Sequence, residues 1–168
     1  DGPKEIWGLQ SLSSKDSERV RAGNRTARFA ASIFGLCLKY CVPCIIENPR
    51  TSRLWLCPAI AKYIPQCSFY HFDHCQFTAP WKKSTSLLPC NIDMAPLERR
   101  CRGKQLRSRT GRPHIQLSGA GPDGVFWTAK ASAYPPAFCE LVSDLTLSHL
   151  LQQWLAAAWP LVSGTTHP

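Results

Sequence analysis

The sequence predicts an α/β domain: the second half of an open, parallel sheet, extended by a basic loop and a C-terminal helix. Three observations carry that expectation. Ala27, Ala30, Ala31, Phe34, Leu38 and Cys41 recur at helical spacing as one apolar face, with Arg25, Arg28 and Lys39 outside it. After Pro43 comes Cys44-Ile45-Ile46, a short, wholly apolar run of the kind found in strands buried on both faces of a parallel sheet. That run ends in Glu47-Asn48-Pro49, and open α/β sheets place their chemistry at the carboxyl ends of such strands. Helix, buried strand and polar turn make half of a βαβ unit, whose opening strand would precede Asp1.

The remaining elements follow in order. Ser13 followed by Asp16 is a capping signal ahead of a helix, and a break is expected at Gly23-Asn24, before the apolar face that begins at Ala27. Pro43 stops that helix, and Pro49 makes the chain leave the sheet. A short helical stretch is expected over 59–64, then a strand over 67–72. Asp73 to Lys83 reads as a polar loop, and 84–88 as the return strand of a hairpin. Two short strand candidates, 114–117 and 125–127, flank the Gly119–Gly124 turn signal. Pro135-Pro136 opens a final helix with an apolar stripe of Leu145, Leu147, Leu150, Leu151, Trp154, Leu155 and Ala158, ended by Pro160. The expected division is 1–134 for the α/β domain and 135–168 for the helical region.

Composition sets the class. With 168 residues, 44% hydrophobic content and six Trp, the chain suits one folded domain rather than a disordered segment. No apolar run is long enough to span a membrane, and nothing at Asp1–Glu5 resembles a signal peptide. Without an initiator Met, the chain reads as a piece of a longer reading frame. Nine scattered cysteines read as reduced thiols, so the expected compartment is intracellular, and nuclear in a eukaryote. The net charge of +9 is uneven. Between Glu98 and Arg112 lie Arg99, Arg100, Arg102, Lys104, Arg107, Arg109 and Arg112 against one acid, a block that repels itself, resists packing and attracts phosphate.

The strand ending in Glu47-Asn48 resembles the Glu-Asn-Val strand of the DNA cytosine-5-methyltransferases, with Pro49 in place of valine. About thirty residues later, Phe77-Thr78-Ala79-Pro80-Trp81-Lys82-Lys83-Ser84-Thr85 is similar to that family's aromatic-Gly-Val-Pro-Gln-x-Arg-x-Arg loop. Phe77 and Pro80 match, Lys83 stands at the first arginine, Trp81 at the glutamine and Thr85 at the second arginine. The pattern over roughly 8–139 looks still more like the methylase-like segments of some protist retroelement reading frames. The resemblance implies the second half of a Rossmann-like methyltransferase sheet, with Glu47 and Asn48 in the catalytic site. Glu47 would hold a flipped cytosine, Phe77 and Trp81 would stack on bases, and Lys82, Lys83 and the arginine block would bind DNA. S-adenosylmethionine would belong to the full-length protein, because this chain has neither a Gly-rich first βα turn nor the family's Pro-Cys nucleophile loop.

The alternative is a non-enzymatic, basic nucleic-acid-binding segment of a mobile-element polyprotein, stabilised by zinc. Cys75, Cys90, Cys101 and His114 are soft ligands in order, with His71 and His74 nearby, but no Cys-x-x-Cys knuckle frames them. Cys41-Val42-Pro43-Cys44 has knuckle spacing but enters an apolar strand, which favours packing. His74 and Cys75 are adjacent, so on a strand they point to opposite faces and make a poor nucleophile pair. The site that the resemblance implies carries no metal, and zinc belongs to the alternative alone.

Overall fold

The computed structural model describes residues 5–9 and 11–163. Helix α1 spans Ser14–Lys39. The Ser13 side chain accepts from the Asp16 amide at 3.1 Å, and the Asp16 carboxylate suits the positive end of the helix dipole. The helix runs through Gly23-Asn24, where a break was expected. A glycine inside a helix costs only about 1 kcal/mol, and Asn24 turns its amide outward to donate to the Trp7 carbonyl at 2.7 Å. Ala31 and Phe34 are buried on the expected face. The helix closes at Tyr40, ahead of Pro43, and the Asn91 amide satisfies the Cys37 carbonyl at 2.8 Å.

Strands β1 (Cys44–Pro49), β2 (Tyr70–Asp73) and β3 (Ser84–Cys90) form a three-stranded sheet in the order β1-β3-β2. Both pairings are antiparallel: Cys44 lies opposite Cys90 and Pro49 opposite Thr85, while Tyr70 lies opposite Leu87 and Asp73 opposite Ser84. This corrects the expected parallel, Rossmann-like sheet. The expected hairpin of β2 and β3 is present. An apolar run reports that two faces are covered, not which way the neighbouring strand points. Both faces are covered. β1 is an edge strand, where the missing N–H of Pro49 is tolerated.

The pleat sends alternate residues into two cores. Ile46 and Leu88 join Ala31, Phe34, Trp55, Ile60 and Cys90 on the α1 side. Ile45 and Leu87 face the other way, toward Phe72, Phe77, Met94, Leu97 and Phe138. Between β1 and β2 lie a 3-10 turn at Arg53–Leu56, the short helix α2 (Pro58–Ala61) and a second 3-10 turn at Ile64–Gln66. Gly35 faces this region because a Cβ there would overlap the Tyr63 hydroxyl.

The segment after β2 is not a solvated loop. It is a 3-10 turn, His74–Phe77, in which His74, Cys75 and Phe77 are buried. The strand candidate at 114–117 forms neither strand nor bridge, and that at 125–127 reduces to one isolated bridge, Ala120 with Phe126, beside a second bridge of Leu106 with Pro113. Pro113 has no N–H to extend its bridge, and that of Phe126 is cut short by helix α3, Trp127–Lys130. Helix α4 spans Pro136–Ser163 and passes the expected stop at Pro160, which falls in its last turn. Its first turns enter the second core through Phe138, Leu141, Val142 and Leu145, while Leu147, Leu150, Leu151, Trp154 and Leu155 are exposed. Among the described residues, no helix is long and apolar enough to cross a membrane.

Candidate metal centre and basic loop

Three segments distant in sequence meet behind the β2–β3 hairpin. Cys75 comes from the turn after β2, Cys101 from the loop after the 3-10 turn Ala95–Leu97, and His114 from the far side of the arginine-rich turn. All three side chains are buried, and their donor atoms lie within 4.8 Å of one another. His114 Nε2 is 3.4 Å from Cys75 Sγ and 3.6 Å from Cys101 Sγ. His114 Nδ1 lies 3.1 Å from the Gln105 carbonyl, which can only accept, so the proton belongs on Nδ1 and the Nε2 lone pair faces the sulfurs.

The two thiols differ. Burial, then the neighbouring Cys101, pushes Cys75 up to about 12. Burial also acts against Cys101, but hydrogen bonds from Ser108 and the backbone of Gly103 outweigh it and bring that thiol down to about 6. The Ser108 amide donates to Cys101 Sγ at 3.4 Å. Gly103 permits this tight loop because a Cβ there would overlap the Leu106 carbonyl.

Two residues of the hairpin anchor the loop. Asp73, 4% exposed, accepts from the Cys101 amide at 2.7 Å through Oδ2 and from the Ser84 hydroxyl through Oδ1. Lys82 Nζ donates to the carbonyls of Cys101 and Gly103 at 3.1 and 3.2 Å. Lys82 therefore faces the loop backbone, and Lys83 Nζ likewise donates to the Ala131 carbonyl at 2.8 Å.

Of the arginine block, Arg99 Nε donates to the Pro96 carbonyl, and Arg109 donates to the Gln76 carbonyl at 2.8 Å. Arg107 is half-buried and lies 3.5 Å from the Arg112 carbonyl. Arg100, Arg102, Lys104 and Arg112 are exposed, and among the described residues their side chains meet no carboxylate or carbonyl.

The residues implied by the methyltransferase resemblance fall elsewhere. Glu47 is half-buried within β1 and accepts from the Tyr134 hydroxyl at 2.6 Å, while Asn48 lies opposite Ser86. Burial, then the Glu47 carboxylate, raises the Tyr134 hydroxyl above its usual value. Phe77 is 1% exposed and packed edge-on against Phe72 and Phe138, so the expected base stacking on its ring is corrected to core packing. Trp81 borders a hollow of about 280 Å³ with Thr78, Pro80, Lys130, Tyr134 and Pro136, and its buried Nε1 meets no partner among the described residues. His74 is fully buried between Phe72 and Tyr134, its ring nitrogens meet no partner among the described residues, and burial, then Lys83, pushes it down to about 4. The described residues contain no βα turn rich in glycine.

Of the four soft ligands in the sequence, the fold gathers Cys75, Cys101 and His114 and sends Cys90 to the α1-side core. His71 instead pairs with the Ser86 hydroxyl at 2.8 Å. Asp73 and Tyr134 had no sequence signal, because their partners lie 28 and 87 residues away. The chain matches no protein-family model, no curated protein and no solved structure.

Proposed function

We propose that this chain is a non-catalytic DNA-binding module whose contact surface is the loop from Arg99 to Arg112. The observation that carries the reading is the set Arg100, Arg102, Lys104 and Arg112, exposed cations with no anionic partner among the described residues. Charges arranged this way lower their energy by replacing counterions on a phosphate backbone. Binding follows backbone charge and is weakly sequence-selective, because a flexible cationic side chain on a loop reads phosphate rather than base edges.

The test is fluorescence anisotropy on duplex and single-stranded DNA across a salt series. Replacing Arg100, Arg102 and Arg112 with Gln is expected to reduce the slope of log K against log salt by up to about 2.7 units on duplex, if each meets one phosphate. An unchanged slope refutes the assignment of the loop. Equal affinity for RNA refutes DNA as the specific partner.

A second reading keeps the cytosine-5-methyltransferase resemblance and makes the chain the base-holding part of such a protein. The hollow lined by Trp81 and Tyr134 favours it, since the Tyr134 hydroxyl also donates to Glu47. Transfer of a labelled methyl group from S-adenosylmethionine to DNA by the purified chain would support this second reading over the first.

A further inference from the structure

We propose that Cys75, Cys101 and His114 bind a zinc ion that fastens the basic loop to the β2–β3 hairpin. The ligand chemistry is that of zinc: two sulfurs and one imidazole nitrogen, all buried, with no carboxylate oxygen among them. Zinc bonds of about 2.3 Å to sulfur and 2.0–2.1 Å to nitrogen, at a tetrahedral angle, hold such atoms about 3.6 Å apart. The two observed nitrogen–sulfur separations, 3.4 and 3.6 Å, lie at that edge length.

The surroundings of the three donors have the form of a metal site's supporting groups. The Gln105 carbonyl fixes the His114 ring so that Nε2 is the free donor, as second-layer acceptors do for metal-bound histidine. The Ser108 amide points at Cys101 Sγ and stabilises a thiolate there. Asp73 and Lys82 hold the backbone on either side of Cys101, so the sulfur is positioned before any ion arrives. On binding, each thiol gives its proton to solvent and its sulfur lone pair to the ion. Three protein donors leave one tetrahedral position for a further ligand.

The ion would join residues 39 positions apart and close the whole arginine-bearing loop onto the sheet. In the unfolded chain these donors are dispersed, so binding energy becomes folding energy for this region. The inference goes beyond DNA binding and does not depend on it, because metal uptake is read with no DNA present.

The experiment is titration of the reduced, metal-free chain with cobalt(II), followed by displacement with zinc. The expected result is one equivalent of cobalt, with the ligand-field bands of a tetrahedral ion and a thiolate charge-transfer band, both erased by zinc. Cys101→Ser and His114→Ala are expected to weaken cobalt binding by more than about a hundredfold, and Cys139→Ser, at an exposed site remote from the cluster, to leave it unchanged. Zinc is expected to raise the melting temperature of the unaltered chain but not of the Cys101→Ser chain. Absence of the bands in the unaltered chain overturns the proposal, and that measurement needs no variant to fold. Bands that persist in Cys101→Ser also overturn it. So does a Cys75–Cys101 disulfide in freshly purified protein, seen as a mass lower by two hydrogens.

Discussion

Asp73→Ala is expected to destabilise the fold by about 3 kcal/mol, and Asp73→Asn by about 1 kcal/mol or less. Asp73 is 4% exposed, and its two carboxylate oxygens serve two different segments: Oδ2 the Cys101 amide at 2.7 Å, Oδ1 the Ser84 hydroxyl. Each bond to an ionised acceptor is worth about 1.5–3 kcal/mol net, so the pair could reach about 3–6 kcal/mol. Burying the carboxylate costs part of that, which brings the expected loss on truncation to about 3 kcal/mol. Much of the loss comes from the Cys101 N–H, which keeps its burial and loses its acceptor. In Asn, the amide oxygen accepts from Cys101 while the amide nitrogen donates to the Ser84 hydroxyl oxygen. Both contacts survive without charge. The assay is urea unfolding followed by circular dichroism, with a chelator present so that no metal contributes. If both variants fall within about 0.5 kcal/mol of the parent, Asp73 does not anchor the loop. If both lose about 3 kcal/mol, the negative charge rather than the acceptor geometry is what matters.

Leu88→Ala, at a fully buried position between α1 and the sheet, is expected to cost about 2–5 kcal/mol in the same assay; a loss under about 1 kcal/mol would mean that the α1-side core is not packed as described. His74→Phe is expected to leave stability unchanged or raise it by about 1 kcal/mol at neutral pH, since it keeps the stack on Phe72 and Tyr134 and removes two unpartnered ring nitrogens. A loss above about 1 kcal/mol would show that those nitrogens hold a partner. Tyr134→Phe is expected to cost about 1 kcal/mol through the lost bond to Glu47, and Glu47→Gln, which retains an acceptor oxygen, less than that. A larger loss in Glu47→Gln than in Tyr134→Phe would mean the carboxylate has a further role.

Local chemistry made the helices legible. The spacing of Ala27, Ala31, Phe34 and Leu38 identified the buried face of α1, and Ser13 with Asp16 identified its start. The hairpin of β2 and β3 could be read because its strands flank one short segment. Strand direction could not. Ile45 and Ile46 enter opposite cores, which an apolar run does report, but that run is the same whether β3 arrives parallel or antiparallel. The central place of β3 depends on pairing across 44–90, a separation at which local propensity carries no information.

The candidate site was legible in its ligands and not in its assembly. Cys75, Cys101 and His114 have the right chemistry, but a knuckle signal needs short spacing because short spacing guarantees proximity without knowledge of the fold. Here proximity is made by long-range devices instead: the buried turn His74–Phe77, the Asp73 carboxylate under Cys101, and the Lys82 ammonium across the next carbonyls. Lys82 could be read only as a cation beside other cations, and charge alone suggested phosphate. Its position reverses that inference, because a partly buried ammonium held between two backbone carbonyls already has its acceptors. Lys82 thus holds the loop backbone and Lys83 the Ala131 carbonyl, while Arg100, Arg102 and Arg112 stay exposed, with no carboxylate against them among the described residues.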